Sequence, residues 1–117
     1  MFKGKKVLVL GLAKSGKAAV ELLKFMHADI TINESKKKED IPEYDTYVSE
    51  GIEMVCGGQP DELFERDFDF VVKNPGINYH APFILRLKER GIPVYTEIEL
   101  GYKVAKKQHY IAVTGTN

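Results

Sequence analysis

Short apolar runs alternate along this chain with segments whose apolar residues recur at helical spacing. Val7–Leu10 is a continuous apolar run and predicts a first strand. Over Ser15–Met26 the positions Ala19, Leu22, Leu23 and Met26 share one helical face, with Lys14, Lys17, Glu21 and Lys24 opposite. Ala28–Asn33 is a β-branched second strand. Glu34–Pro42 is a polar loop, and its run Lys36-Lys37-Lys38 reads as solvated. Glu43–Glu50 predicts a short helix capped by Gly51, Ile52–Cys56 a third strand, Gly57-Gly58 a turn and Pro60–Glu65 a helical turn. Phe68–Lys73 is a fourth strand, broken at Asn74-Pro75-Gly76. Pro82–Arg90 is a helix closed by Gly91, and Pro93–Tyr95 a short fifth strand. Thr96-Glu97-Ile98-Glu99 fits a capping box, and the helix it opens carries Ile98, Gly101, Tyr102 and Ala105 on one face. His109–Val113 reads as a sixth strand, running into Thr114-Gly115-Thr116-Asn117.

Strand alternating with helix predicts the α/β class: a doubly wound, Rossmann-like parallel sheet of five strands, order 3-2-1-4-5, with helices on both faces. In that order a ligand crevice opens beyond the C-terminal ends of the first and fourth strands. The loops Gly11–Gly16 and Asn74–Ile77 end there, and Asn33-Glu34-Ser35-Lys36 lies beside them. The sixth strand falls outside this sheet. Residues 1–108 are therefore expected to form one domain. Residues 109–117 would be the first strand and loop start of another, with the chain cut at a domain boundary.

Composition narrows the partners. The 117 residues carry 17 Lys+Arg and 17 Asp+Glu, a balance that argues against a general nucleic-acid binder. No run approaches the ~20 apolar residues of a membrane span, and Met1-Phe2-Lys3-Gly4 enters the first strand without a signal peptide. A cytoplasmic, monomeric protein is expected, with no membrane partner. The single Cys56 excludes an internal disulfide and a cysteine-cluster metal site. His27 sits at the end of the first helix, where it reads as a cap. His80 and His109 have no partner at metal-ligand spacing, so no metal site is expected. The six tyrosines are scattered and read as packing.

The loops carry the candidate chemistry. Gly11 and Gly16 frame a turn from strand to helix of the kind that offers backbone N–H groups to a phosphate. Ala13 replaces the middle glycine of the dinucleotide fingerprint, and Lys14 and Ser15 could add a charge and a hydroxyl. A ligand-free β–α turn would read the same way. Glu34 lies 18 residues after Gly16, close to the acidic position that holds a ribose in dinucleotide sites. A carboxylate there accepts from a ribose diol or a nucleobase imide, and Ser35 and Lys36 could complete the pocket. A solvated loop acid is the alternative. In Asn74-Pro75-Gly76 the proline fixes φ and Gly76 supplies freedom where a ligand could approach; an ordinary turn is the alternative. At the other end, Thr114-Gly115-Thr116-Asn117 is what precedes Gly-Lys-Thr or Gly-Lys-Ser in an ATP-binding loop.

Taken together, Val9–Gly16, Val72–Ile77, Thr96–Leu100 and Ile111–Asn117 resemble the bacterial Mur ligases, over essentially the whole chain and in order. Within that family the Leu-Ala-Lys-Ser-Gly turn and Thr-Glu-Ile-Glu favour the member that adds D-glutamate. The resemblance implies an N-terminal domain that binds the UDP part of UDP-N-acetylmuramoyl-L-alanine. Gly11, Ala13, Lys14 and Ser15 would meet the diphosphate, Glu34, Ser35 and Lys36 the uracil, and Asn74, Pro75 and Gly76 the uridine side. Many relatives carry Asp where this chain has Glu34. Gly115, Thr116 and Asn117 would begin the ATP-binding loop of the central domain. In the full-length enzyme ATP would phosphorylate the substrate carboxylate, with Mg2+ present. D-glutamate would attack the acyl phosphate, in the service of peptidoglycan synthesis, cell division and cell shape. No catalytic residue and no cofactor are expected in these 117 residues, which alone would be inactive. The competing expectation is a nicotinamide-binding domain of an oxidoreductase.

Overall fold

A computed structural model describes residues 3–77 and 80–105, the Ser15 side chain excepted. The segments predicted as a sixth strand and an ATP-loop start (His109–Val113 and Gly115, Thr116, Asn117) lie outside the described residues, as does the proposed second unit at 109–117.

Five strands form one all-parallel sheet: β1 (Lys6–Leu10), β2 (Asp29–Glu34), β3 (Glu53–Cys56), β4 (Phe70–Lys73) and β5 (Val94–Thr96), in the order β3-β2-β1-β4-β5. The predicted order 3-2-1-4-5 is the observed one. Between the strands run α1 (Lys14–Phe25), α2 (Tyr44–Ser49) and α3 (Pro82–Glu89), and residues 97–105 form α4. The Pro60–Glu65 segment is a 3-10 turn over Asp61–Glu65, and a shorter one, Lys38–Asp40, interrupts the predicted loop.

Alternation along the strands sends side chains to two cores. One face carries Val7, Val9, Ile30, Ile32, Phe70 and Val72, covered by Ala19, Val20 and Leu23 of α1, Tyr47 of α2, and Leu100 and Val104 of α4. The other carries Leu8, Leu10 and Val71, covered by Leu63 and Phe64 of the 3-10 turn and Ile84 and Leu87 of α3. Helices therefore cover both faces, as parallel strands require. Arg90 ties the second layer down, donating to the carbonyls of Phe64 at 2.6 Å and Arg66 at 2.8 Å and pairing with Asp67 at 2.7 Å.

Helix ends follow their sequence signals, with one change of face. The Glu99 N–H donates to Thr96 Oγ1 at 3.2 Å, and the Thr96 N–H donates to Glu99 Oε1 at 2.9 Å, the reciprocal pair of a capping box. The stripe Ile98, Gly101, Tyr102, Ala105, expected as one face, is not the packed one. Ile98 and Tyr102 are 72% and 68% exposed, while Leu100 and Val104 enter the core. α1 closes with His27 at φ +60: its N–H donates to Lys24 O, and the Ala28 N–H to Leu23 O, the two bonds of a Schellman cap. The same bonds close α2 at Gly51 and α3 at Gly91.

Candidate functional site

Of the buried polar side chains among the described residues, Asn33, Glu34 and Lys73 stand at the C-terminal ends of β2 and β4; Thr31 is the fourth. Burying a polar group costs free energy unless it is partnered, so their clustering marks where the chain spends polarity on shape. An open cleft of about 290 Å³ lies there, lined by Leu10, Gly11, Ala13, Asn33, Glu34, Ser35, Gln59, Asn74, Gly76 and Ile77. A larger groove, about 350 Å³, lies where the strands begin, but Arg66 forks onto Glu53 across it at 2.8 and 3.0 Å and satisfies its charge internally.

The floor of the cleft is the turn from β1 into α1. Gly11 has φ +92, a left-handed conformation that favours glycine. Gly16, one turn into α1, packs directly on it: a Cβ at Gly16 would lie 2.0 Å from the Gly11 carbonyl oxygen. The first bond of α1 is Lys17 N–H to Ala13 O; no side chain caps the helix and its first turn holds no acid. A helix begun this way leaves its first N–H groups without an intrahelical partner, with the positive end of its dipole above them. Ala13, the residue that replaces the middle glycine, is the N-cap and lines the cleft.

Glu34 is the strut of the site. Its Oε1 accepts from the Leu12 N–H at 2.8 Å; its Oε2 accepts from the Lys36 N–H at 2.9 Å and from the Ser35 hydroxyl at 3.2 Å. One carboxylate thus joins the phosphate-type turn to the loop after β2. Burial pushes its pKa up, but the bonds from Lys36, Leu12 and Ser35 outweigh this and hold the carboxyl below the usual glutamate value. A carboxylate has about four lone-pair positions, and partners among the described residues take three of them.

The third wall is the turn after β4. Ile77 N–H donates to Asn74 O at 2.9 Å, and Gly76 N–H to Asn74 Oδ1 at 2.8 Å. Lys73, only 2% exposed, donates its ammonium to Ile77 O at 2.7 Å and holds the turn against the strand end. Gly76 is not in the left-handed region, so the freedom expected of it is not used; a Cβ there would come 3.3 Å from Asn74 Oδ1.

Of the residues singled out in the sequence, Gly11, Ala13, Glu34, Ser35, Asn74 and Gly76 line this one cleft. Lys14 and Pro75 are exposed beside it, outside its lining. Lys36 reaches instead an adjoining recess of about 40 Å³, with Lys17, Glu34 and Glu43. The Ser15 side chain is outside the described ones. Sequence reasoning missed Gln59, which no local signal marks out, and left Asn33 and Ile77 as neighbours only. Among the described residues, no group of three or more His, Cys, Asp or Glu is placed to hold a metal ion, and no helix is long and apolar enough to cross a membrane.

Comparison with known proteins gives a consistent picture. Residues 5–96 match the family model "Mur ligase MurD-like, N-terminal domain". The chain is 49% identical over 115 residues to the UDP-N-acetylmuramoylalanine–D-glutamate ligase of Streptococcus thermophilus (strain ATCC BAA-491 / LMD-9), covering 98% of this chain and 25% of that protein. It is 47% identical over 116 residues to the ligase of the same name from Streptococcus agalactiae serotype Ia, covering 99% of this chain and 26% of that one. The chain spans about a quarter of the length of these relatives. Among solved structures, shikimate dehydrogenase from Aquifex aeolicus shares the fold at a TM-score of 0.50 and 15% identity, over 84% of this chain and 44% of that one.

Proposed function

As this chain belongs to the MurD-like N-terminal domain family of the Mur ligases, we propose that it is the part of a D-glutamate-adding ligase that binds UDP-N-acetylmuramoyl-L-alanine through its UDP moiety. The observation that carries this is the uncapped start of α1, opening at Ala13 into a cleft walled by Glu34 and Asn74. Backbone N–H groups at a helix start hold an anion without needing a charged partner. The diphosphate lies over Gly11, Ala13, Lys14 and Ser15, with the exposed Lys14 and Lys36 adding positive potential at the rim. The base and ribose lie between Glu34-Ser35 and Asn74-Pro75-Gly76. The remaining acceptor position on Glu34 takes a single donor from the ligand.

In the full-length protein this domain delivers the substrate carboxylate to be phosphorylated by ATP and joined to D-glutamate, in the cytoplasm and for peptidoglycan synthesis. The groups for ATP and Mg2+ would begin at Gly115, Thr116 and Asn117, so no step of that chemistry belongs to the cleft beside Glu34. ATP would supply the phosphoryl group that activates the substrate carboxylate, so that phosphate leaves when the amine attacks; the residues of the cleft bind and orient. A nicotinamide dinucleotide is the competing ligand, and the likeness to shikimate dehydrogenase bears on the fold alone.

The test is calorimetric titration of the 117-residue chain with UDP-N-acetylmuramoyl-L-alanine, UDP and NADH. Binding of both uridine compounds with little or none of NADH is expected. A preference for NADH sinks the reading.

A further inference from the structure

We propose that Gln59 is a further ligand contact, donating to a carbonyl oxygen of the nucleobase from the β3 side of the cleft, and that Asn33 is the residue that positions it. This rests on the cleft being the uridine diphosphate site.

The turn that carries Gln59 is pinned to the end of β2 from several sides. The Gly57 N–H is shared between the carbonyls of Glu34 and Lys36, each at 3.0 Å. Asn33, 2% exposed, donates its amide to Val55 O at 3.1 Å and to Gly58 O at 2.7 Å. On the face that Asn33 shares, the adjacent strand presents Leu8 and Leu10, the latter in register with Asn33. A buried carboxamide in their company is costly unless its donors do something an aliphatic residue cannot. Here they fix the path of the next loop.

That loop has one functional side chain to present. Gln59 stands between Gly57-Gly58 and Pro60, whose backbone (φ −61, ψ 137) leads out into the 3-10 turn. Gln59 lines the same cleft as Glu34 and Asn74. Its carboxamide has no hydrogen-bond partner among the described residues. Glu34 is acceptor-only, and Gln59, which lines the same cleft, supplies the missing donor. Together they match a base edge on which a carbonyl oxygen adjoins an imide N–H. The phosphate-holding start of α1 is built from other residues, so base and phosphate contacts separate by mutation.

Calorimetric titration of the 117-residue chain and its Gln59→Ala and Gln59→Glu variants with UDP and with inorganic pyrophosphate tests this. Gln59 is exposed, so the variants keep the wild-type melting temperature. Gln59→Ala is expected to weaken UDP binding about tenfold, the loss of one hydrogen bond in a cleft, and to leave pyrophosphate binding unchanged. Gln59→Glu, which removes the donor and adds a charge near Glu34, is expected to weaken UDP binding further. Unchanged UDP affinity in Gln59→Ala, with wild type binding UDP, overturns the role of Gln59 alone. An equal loss for pyrophosphate also overturns it. A wild-type chain that binds no UDP removes the reading beneath it as well.

Discussion

The carbonyl oxygen of Gly11 occupies the place where a side chain at Gly16 would begin, 2.0 Å from the ideal Cβ position. The contact is backbone against backbone, so no rotamer change relieves it. Gly16→Ala must therefore push α1 off the β1–α1 turn. The expected cost is about 3 kcal/mol, at the upper end for overpacking. Urea unfolding measures it; a loss under 1 kcal/mol would show that the turn adapts freely.

Glu34 makes stability depend on pH. Its folded pKa is depressed, so its stabilisation is fully present above the unfolded value of about 4.3 and is lost as pH falls through the folded value. Glu34→Ala leaves the Leu12 N–H buried without its acceptor and should cost about 1–3 kcal/mol at pH 7. The gap between wild type and variant should shrink as the pH is taken from 6 to 3. A gap that stays constant over that range would mean the carboxylate does not act through its charge.

His27 holds a left-handed conformation at the end of α1, where α2 and α3 use Gly51 and Gly91. An L residue is strained there and glycine is not. His27→Gly should raise stability at pH 7 by about 1 kcal/mol, a rise of roughly 4 °C in melting temperature. Thermal melts of the two proteins decide it, and a lower melting temperature for the variant would refute the account.

Thr96 and Glu99 cap each other's backbone N–H groups. Thr96→Ala and Glu99→Ala should each destabilise by about 1 kcal/mol, and the double variant by less than the sum, because the two bonds form one box. A double-mutant cycle in urea gives the coupling; strict additivity would argue that the bonds are independent.

The sheet was legible because its strands are short, apolar and separated by strong punctuation: Gly11, Gly57-Gly58, Asn74-Pro75-Gly76. Strand order followed from the handedness and layering of parallel connections. The packed face of α4 was not legible, since Ile98, Tyr102 and Ala105 offer as much hydrocarbon as Leu100 and Val104. Only the position of the helix over the core that Leu23 and Val72 share chooses between them. At the candidate site the three loops could be named from sequence, because glycine, proline and a carboxylate at strand ends have physical reasons to be there. Gln59 could not. Nothing local distinguishes it from a solvent-exposed loop residue until Asn33, far away in sequence, is seen gripping the turn. Lys73 likewise reads as the last residue of a strand until its ammonium is found holding the Ile77 carbonyl.

The Glu34 strut has a bearing on how a ligand is met. Leu12 and Lys36 belong to two different loops, and one side chain joins them before any ligand arrives. The conformational entropy of ordering these loops is therefore spent during folding and not at the moment of binding. The chain should accordingly capture its ligand with little rearrangement of the turn, and a small number of contacts can suffice for a useful affinity.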